Sequence, residues 1–428
     1  NIVSNLKIRA SYGKLGNNDV SAYGYIQTIL TDSTINYLFG GENLAPGSSV
    51  SAPNASDYSW EVVTSANIGI DLALFDNKLT FTGDAYIRDT DGMFMASADL
   101  PGVYGAAAPK SNAASLRTKG WEFMIEWRDS FNLGGQPFHY SVAASLADNV
   151  SDVLHYNNDN KTLGSPYTGQ RLGDIWGYVV NGYFQSEEEI RNHRVDQSYV
   201  NSMINSQTID TGLRPGDLKY VDMDGDRKIT PTTSANDIND MVIIGNSLPR
   251  FTHTLRLTGS WMGIDLSLLF NGVGRQHWYP GSETYLFWGP YSRPFTTYIP
   301  MDFYDKMWSE ENPDAYFPRP RGWIAFAGDG GPRSLASVNN KYLQNVGYFR
   351  LKNLTLGYSL PKKWLDKIQI ERVRVYFSGE NLFTLSPLES KYIDPAMAGA
   401  SCTWQSGNTS VFGYPTARAY SFGLDITF

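Results

Sequence analysis

Three carboxylates at alternate positions are the residues best suited to binding a metal ion. They lie in the segment Asp222-Met-Asp-Gly-Asp226, which thus supplies Asp222, Asp224 and Asp226. Hard cations such as Ca²⁺ prefer several oxygen ligands at once, and a glycine in such a loop permits the sharp bend. The spacing is that of the first half of an EF-hand loop, in which the main-chain carbonyl of Lys228 would be the next ligand.

The second half of this loop departs from the EF-hand pattern. Thr230 and Thr233 occupy the positions at which an EF-hand continues and closes. Asp237 or Asp240 would have to close the site if the chain folds back. The sequence therefore predicts a structural Ca²⁺ site in the 222–240 loop, which would stiffen it. The alternative is an acidic turn held by its own hydrogen bonds.

The segment 275–345 is crowded with aromatic residues. Aromatic faces can stack on sugars, hold a peptide, pack against a protein partner, or form a small core of their own. Packing against a partner or within the segment is favoured over direct stacking on a ligand. The candidate ligand- or partner-binding residues are Trp278, Tyr279, Tyr285, Phe287, Trp288, Tyr291, Trp308 and Trp323.

Catalysis finds little support in the sequence. It has no His-Glu-x-x-His, no Gly-x-Ser-x-Gly and no Gly-x-Gly-x-x-Gly motif, and its five histidines are scattered without ligand spacing. Paired acids such as Glu61 and Asp71 could resemble a glycosidase site, but acids are expected on the wet face of any strand. We therefore assign no catalytic residues and predict that the protein is not an enzyme.

The elements that would position these loops are strands with one apolar and one polar face. The last twelve residues place Tyr420, Phe422, Leu424, Ile426 and Phe428 on one side and polar or small residues on the other. This period of two is typical of a half-buried strand. Similar alternation predicts about ten strands, within 6–13, 60–74, 79–88, 121–128, 138–146, 251–257, 264–270, 346–359, 373–377 and 416–428. The segment 346–359 fits the alternation less well and suggests a bulge near Lys352.

The connections between these strands alternate in length. Short ones are predicted near 75–78, 129–137, 261–263 and 360–369, and long ones near 14–59, 91–115, 149–249, 273–345 and 384–415. A β-sandwich rarely alternates tight turns with very long loops, whereas an outer-membrane barrel has short periplasmic turns and long external loops. The pattern predicts an all-β, transmembrane, antiparallel up-and-down β-barrel.

Rings near the strand ends support a membrane location. Trp60, Trp121, Trp127 and Tyr420 lie on the apolar faces, where they would form the aromatic girdles of a barrel. The alternative is cross-strand packing in a soluble sheet. The opposite faces carry charged residues that would form a hydrated interior wall: Glu61, Asp71, Asp84, Arg88, Glu122, Glu126, Arg128, Asp265, Arg372 and Arg374.

Composition agrees with a strand-rich protein that does not bind nucleic acid. Aromatic residues make up 14% of the 428 residues and charged residues only 18%, which favours strands and turns over helices. The net charge of −8 disfavours a phosphate backbone as partner. The sequence has no run of about 18 apolar residues, so it predicts no transmembrane helix. The single cysteine, Cys402, is interpreted as a thiol without a role.

Several motifs together resemble the SusC/RagA-like TonB-dependent transporters of Bacteroidetes outer membranes. They are Pro215-Gly-Asp-Leu-Lys-Tyr-Val-Asp-Met-Asp-Gly-Asp-Arg-Lys-Ile229, Gly173-Asp-Ile-Trp-Gly-Tyr-Val-Val-Asn-Gly-Tyr-Phe184, Arg350-Leu-Lys-Asn-Leu-Thr-Leu-Gly-Tyr-Ser-Leu-Pro361 and Ser378-Gly-Glu-Asn-Leu-Phe383. None is decisive alone, but together they span nearly the whole chain. The closing Phe428 resembles the C-terminal signal read by the barrel-assembly machinery.

The resemblance implies a 22-stranded barrel with an N-terminal plug, of which residues 1–428 would be the C-terminal portion. The plug, the TonB-contacting region and the first strands would lie upstream. The implied partners are a SusD-like surface lipoprotein, the TonB complex and the lipid bilayer, and the implied location is the outer membrane of a Gram-negative, Bacteroidetes-like bacterium. Ten strands of a wider barrel would leave two open edges, which lipid does not tolerate, so a preceding segment is expected to supply the rest.

Three functions remain in competition. The leading one is import of an extracellular oligomer, a glycan before a peptide. A second is a secreted all-β protein that binds or cleaves glycans and carries a calcium-stiffened loop. A third is a structural surface adhesin. Dependence on detergent separates the first from the second, and a growth phenotype on a polymer separates the first from the third.

Overall fold

Ten long strands form one antiparallel sheet in which each strand pairs with its neighbours in the order of the chain. The computed structural model describes residues 2–17, 26, 28–39, 43–50, 59–96, 103, 110–201, 212–281, 284–292, 299, 301–321, 335–398, 402–404, 408–410 and 415–428. The strands are labelled β1 (Val3–Asn17), β2 (Glu61–Leu74), β3 (Leu79–Ala96), β4 (Lys110–Leu133), β5 (Gln136–Tyr156), β6 (Arg250–Trp261), β7 (Ile264–Arg275), β8 (Tyr348–Ser359), β9 (Arg372–Leu385) and β10 (Ala419–Thr427).

The connections alternate between short and long, as predicted. Short turns join β2 to β3, β4 to β5, β6 to β7 and β8 to β9, and the other five connections are longer. All four short turns therefore lie at one end of the sheet and all long connections at the other. This is the up-and-down arrangement that was predicted from the sequence.

Most strands are longer than predicted, and β3, β4 and β5 are the longest. β3, β4 and β5 contain 18, 24 and 21 residues, whereas a tilted strand needs only about ten to cross a bilayer. The predicted loop 91–115 is correspondingly wrong in its bounds, because pairing between β3 and β4 continues to Ala96 and Lys110. The added residues do not alternate strictly between apolar and polar, so the period of two gave no signal there, although Ala114, Val153 and Tyr156 form a small buried cluster. They extend the wall of the sheet beyond the apolar band.

The bulge predicted near Lys352 is confirmed. The register of β8 shifts between Leu351 and Asn353 against both neighbouring strands, so that Lys352 has no directly opposed residue. On β9, Asn381 lies at the same level with a φ of 53°. The extra residue keeps the apolar side chains of β8 on one face on both sides of the shift.

One face of the sheet is apolar and exposed over all ten strands. The register places Ile8 opposite Ile70, Ala85 opposite both Ile68 and Trp121, and Phe377 opposite Phe422. These side chains are not covered by another layer of the described chain: Ile8, Ile68 and Phe422 are 70%, 60% and 84% exposed. Contact of such a continuous apolar surface with lipid acyl chains is favourable, whereas its exposure to water costs free energy.

The opposite face carries charged side chains that pair across strands. The Arg9 guanidinium donates to Asp71 at 2.9 and 3.1 Å and to Asp84 at 2.9 and 2.7 Å, so one arginine of β1 joins acids of β2 and β3. Arg374 of β9 likewise donates to Asp265 of β7 at 2.9 and 2.6 Å. The predicted polar wall is thus cross-linked by bidentate ion pairs.

A glycine lies beneath each of these ion pairs. Gly69 lies between Arg9 and Asp84 in the register, and Gly357 lies next to Asp265. A Cβ atom on Gly69 would lie 2.4 Å from Asp84 Oδ1 and 2.8 Å from the Arg9 guanidinium. The absence of a side chain therefore lets the arginine reach across the intervening strand.

Gly69→Ala is expected to destabilise the barrel by about 1–3 kcal/mol, the usual cost of an overpacked site. Heat-induced unfolding of the detergent-purified protein, followed as the shift between folded and unfolded bands on a gel, would measure this. Gly13→Ala on the adjacent strand is the matched control, since nothing lies within 4 Å of its added Cβ. Equal melting of the two variants would contradict the packing role of Gly69.

Short elements fill the long connections. Two-stranded sheets pair Ile29–Phe39 with Asn43–Val50, Asp174–Tyr178 with Met241–Asn246, Val180–Tyr183 with Leu218–Tyr220, His277–Trp278 with Gln344–Asn345, and Cys402–Trp404 with Asn408–Ser410. The α-helices are Glu187–Asn192, Ser198–Asn201, Tyr285–Trp288 and Lys362–Leu365. The 3₁₀ helices are Gly289–Tyr291, Met301–Lys306, Asp366–Ile368 and Pro395–Met397. Among the described residues, no helix has the length and apolar character needed to span a membrane.

Candidate functional site

The two longest connections, 157–249 and 276–347, share one buried aromatic cluster, which we call the loop core. Its buried members are Tyr178, Tyr183, Val200, Leu218, Tyr220, Ile229, Phe287, Trp288, Tyr291, Phe303, Trp308, Ala315, Phe317, Leu335 and Tyr342. Ring centroids lie close together, for example 4.8 Å between Phe287 and Trp288 and 4.6 Å between Phe303 and Phe317. Such offset and edge-to-face pairs stabilise a core beyond their buried area.

Main-chain bonds also tie the two connections together. The Tyr178 amide donates to the Val338 carbonyl at 2.8 Å, and the Asn340 amide donates back to Tyr178 at 3.0 Å. A buried ion pair between Arg321 and Asp217 adds a second link. The two connections therefore form one folded unit at the long-loop end of the sheet.

The tyrosine hydroxyls of the loop core form a hydrogen-bonded group. Tyr183 donates to the Tyr316 carbonyl at 2.5 Å, and its hydroxyl lies 3.0 Å from that of Tyr342. Burial raises the pKa of Tyr316 to about 12, even though Gln344 donates to its hydroxyl. These phenols consequently stay protonated near neutral pH and act as donors within the core.

The predicted aromatic residues fall into two groups. Phe287, Trp288, Tyr291 and Trp308 are buried in the loop core, where their faces contact other rings. Trp278, Tyr279 and Tyr285 are half-buried at its margin. Trp323 lies outside the described residues. Of the seven predicted rings that the structure describes, a ligand or partner could reach only Trp278, Tyr279 and Tyr285.

The predicted metal-binding aspartates lie close together. One carboxylate oxygen from each of Asp222, Asp224 and Asp226 lies within 4.8 Å of the other two. The same carboxylates also cap the turn: Asp222 accepts from the Gly225 and Arg227 amides at 2.7 and 2.9 Å, and Asp226 accepts from the Lys228 amide at 2.7 Å. Burial tends to raise the pKa of Asp222, but these amide bonds outweigh it and hold that pKa below its ordinary value.

Asp240 supports the loop from its buried side. Its carboxylate is completely buried and accepts from the Met223 and Thr230 amides at 2.8 and 2.7 Å. Burial, and repulsion by Asp224 and Asp222, raise the pKa of Asp240 above its ordinary value. Asp240 thus joins the two ends of the acidic turn through the main chain.

Sequence patterns did not single out the most buried ion pair near the mouth of the sheet. Arg350, at the start of β8, pairs with Asp394 in the connection 386–418, and both side chains are only 7% exposed. Arg350 also donates to the Thr384 hydroxyl at 2.9 Å. The sequence did mark Arg350, because it is the first residue of one of the motifs that carry the family resemblance. It could not identify Asp394 as the partner that a buried arginine needs.

Comparisons with known proteins identify the class of fold. No known family model matches the chain. The structure of this chain superposes on that of the RagAB peptide importer in the "open-open" state with a TM-score of 0.68 at 18% identity. The match covers 100% of this chain and 40% of the RagAB chain. The RagAB peptide transporter gives a TM-score of 0.68 at 19% identity and covers 41% of that chain. The ten strands therefore have the fold of a portion of these outer-membrane β-barrels.

Sequence relatives give the more particular likeness. TonB-dependent receptor P3 of Formosa agariphila is 26% identical over 446 residues, covering 100% of this chain and 40% of the receptor. TonB-dependent receptor SusC of Bacteroides thetaiotaomicron is 22% identical over 440 residues and is covered to 38%. The chain is similar to SusC-type TonB-dependent receptors throughout, as its motifs predicted, and spans about 40% of the length of the curated relatives it matches.

Proposed function

We propose that this chain is the C-terminal part of a receptor that imports an extracellular oligomer across the outer membrane. The apolar face exposed over ten consecutive strands is the observation that supports this most directly, because only lipid makes such a surface favourable. The likeness to TonB-dependent receptors, which extends over the whole of this chain, supports uptake that is driven through TonB. Residues 1–428 act with an upstream plug and the remaining strands of the barrel.

The proposed partners follow from the relatives. A SusD-like lipoprotein closes over the loop core, and the TonB complex acts through the upstream region. We propose a glycan as the first candidate for the oligomer. A peptide is the second candidate, because the structural neighbour RagAB is a peptide importer. The resemblance gives the protein no catalytic role.

A growth experiment tests the proposal. Cells lacking the complete receptor gene are expected to lose growth on one oligomer class and to regain it with the intact gene. Loss of growth on glycans alone supports glycan import. Loss of growth on peptides alone shows instead that the substrate is a peptide. Normal growth on every oligomer, together with a monodisperse protein in buffer without detergent, would instead favour the secreted glycan-binding alternative.

We also propose that the 222–240 loop binds Ca²⁺ through Asp222, Asp224, Asp226 and the Lys228 carbonyl, with Asp240 fixing the loop. The three converging carboxylates support this. Asp224→Asn is expected to remove the bound metal with little effect on folding, because Asp224 is exposed. Elemental analysis of purified protein, and protection of the loop on Ca²⁺ addition, would measure the loss.

Asp240→Asn is the informative comparison for the metal site. It should loosen the loop with or without metal, because a buried carboxylate that accepts two amide bonds is replaced. Equal metal content in the wild type and Asp224→Asn would leave the acidic turn as a self-supported structure.

A further inference from the structure

A polar cavity of about 340 Å³ opens at the long-loop end of β8 and β9. Its walls come from those strands, from the connection 386–398, and from residues 415–418 just before β10. Ligand pockets in proteins fall in this size range and are usually formed before the ligand arrives. None of its lining residues belongs to the acidic loop or to the buried members of the loop core, although Ile393 in its wall packs against that core.

The walls of the cavity are fixed by bonds between separate segments. Asp394 accepts from Arg350 and from the Ala396 and Thr416 amides at 3.0 and 3.1 Å. The side-chain amide of Asn381 donates to the Ala417 carbonyl at 3.0 Å, and the Ser386 hydroxyl donates to the Gly347 carbonyl at 2.7 Å. The cavity is therefore preorganised, which lowers the entropy cost of binding.

The cavity is basic in a chain that is acidic as a whole. It is lined by the cations Arg350, Lys391 and Arg418 and by a single acid, Asp394, whereas the chain carries a net charge of −8. The buried pair between Arg350 and Asp394 uses up one cation and the acid. Lys391 and Arg418 remain at the exposed rim.

These two rim cations are available to a ligand. Lys391 pairs with Asp302 at 2.8 Å, and its ammonium lies 5.3 Å from the ring centroid of Tyr392. Because the Lys391 and Asp302 side chains are well exposed, at 64% and 40%, these contacts are weak and exchangeable. Arg418 is also exposed and lines the same cavity. A carboxylate is matched well by the guanidinium fork of an arginine and by the ammonium of a lysine.

The rest of the lining suits a sugar ring. Hydroxyl and amide groups of Asn381, Thr384, Ser386, Ser390 and Thr416 line one part of the cavity. The ring of Tyr392, with Pro395 and Pro415, supplies an apolar surface against which a sugar face can stack. We propose that this cavity binds a carboxylate-bearing sugar unit of the imported oligomer, an inference that rests on the proposed function.

Affinity measurements on the intact receptor test the assignment. A short oligogalacturonate is expected to bind at least roughly tenfold more tightly than its fully methyl-esterified form, since a charge-assisted hydrogen bond is lost with the carboxylate. Arg418→Gln combined with Lys391→Gln should remove this preference, so that the acid and the ester bind with similar affinity. Arg194→Gln, an exposed arginine elsewhere in the long loops that does not line the cavity, is the matched control.

The outcomes separate the inference from the proposed function. Equal affinity for the acid and the ester, or an unchanged preference in the double variant, overturns the carboxylate site while glycan import stands. A preference for an acidic peptide over the oligogalacturonate, lost in the double variant, overturns the sugar assignment. Failure of neutral and acidic glycans and of peptides to bind or enter the cell defeats the proposed function itself.

Discussion

Asp394→Ala is expected to destabilise the mouth of the barrel by about 3–5 kcal/mol, the usual cost of leaving a buried charge unpaired. The substitution removes the counter-ion of Arg350, and both side chains of that pair are only 7% exposed. It also frees the Ala396 and Thr416 amides, which donate to the same carboxylate. Hydrogen exchange of the segment 386–398 in the intact receptor would show the loss as faster exchange.

Two further variants make this expectation specific. Asp302→Ala breaks the exposed pair with Lys391 in the same region and should cost far less, because water screens exposed ion pairs. Replacing both Arg350 and Asp394 by methionine and leucine should cost less than removing Asp394 alone, because no unpaired charge stays buried. If the single and double variants exchanged alike, the ion pair would not be what holds this segment.

The same carboxylate gives a pH dependence. Burial opposes ionisation of Asp394, but bonds from Thr416, Arg350 and Ala396 prevail and lower its pKa below the ordinary value of 3.8. A lowered folded-state pKa means that its contribution is complete above 3.8 and is lost as the pH falls through the folded value. Protection of 386–398 should therefore be constant from neutral pH down to 3.8 and fall below it, and Asp394→Ala should abolish this acid-induced step.

Trp288→Ala is expected to cost the loop core about 3–5 kcal/mol, as deletion of a buried aromatic side chain usually does. Trp288 is 0% exposed, and its ring lies 4.8 Å from Phe287 and 5.2 Å from Tyr342. Its indole nitrogen donates to the carbonyls of Pro280 and Gly281, each at 3.1 Å. Limited proteolysis should cut 157–249 and 276–347 faster, because both connections share this core.

Tyr304→Ala is the matched control, since Tyr304 lies in the same connection but is 77% exposed. It should change stability by less than about 0.5 kcal/mol. The ten strands should remain folded in both variants, because they pair with one another and not with the loop core. A Trp288→Ala protein that resists proteolysis but fails to bind its oligomer would assign this ring to the ligand.

Strand positions were predictable because each strand must satisfy two solvents at once. Side chains alternate faces along a strand, so an apolar exterior and a polar interior leave a period of two in the sequence. Even the bulge at Lys352 was visible, since a single extra residue interrupts that period. The predicted strands, their meander order and the alternation of turns and loops were confirmed on this basis.

Other features left no such signal. The outer parts of β3, β4 and β5 pair through main-chain bonds without strict alternation of apolar and polar side chains, and Ala114, Val153 and Tyr156 pack there into a small buried cluster. The short paired strands in the loops, such as Asp174–Tyr178 with Met241–Asn246, join residues far apart in the chain. The choice between a self-packed core and exposed rings also depended on contacts between two separate connections.

The sequence by itself determined the class of fold, the side of the sheet that carries the loops, and the acidic turn, because each depends on the spacing of neighbouring residues. Only the tertiary structure decided that Trp288 is buried, that Arg350 pairs with Asp394, and that Arg418 and Lys391 line one cavity. These last contacts join residues brought together by register and by loop packing. Which distant residues meet is fixed by the free energy of the whole fold, and no local pattern of residues reports it.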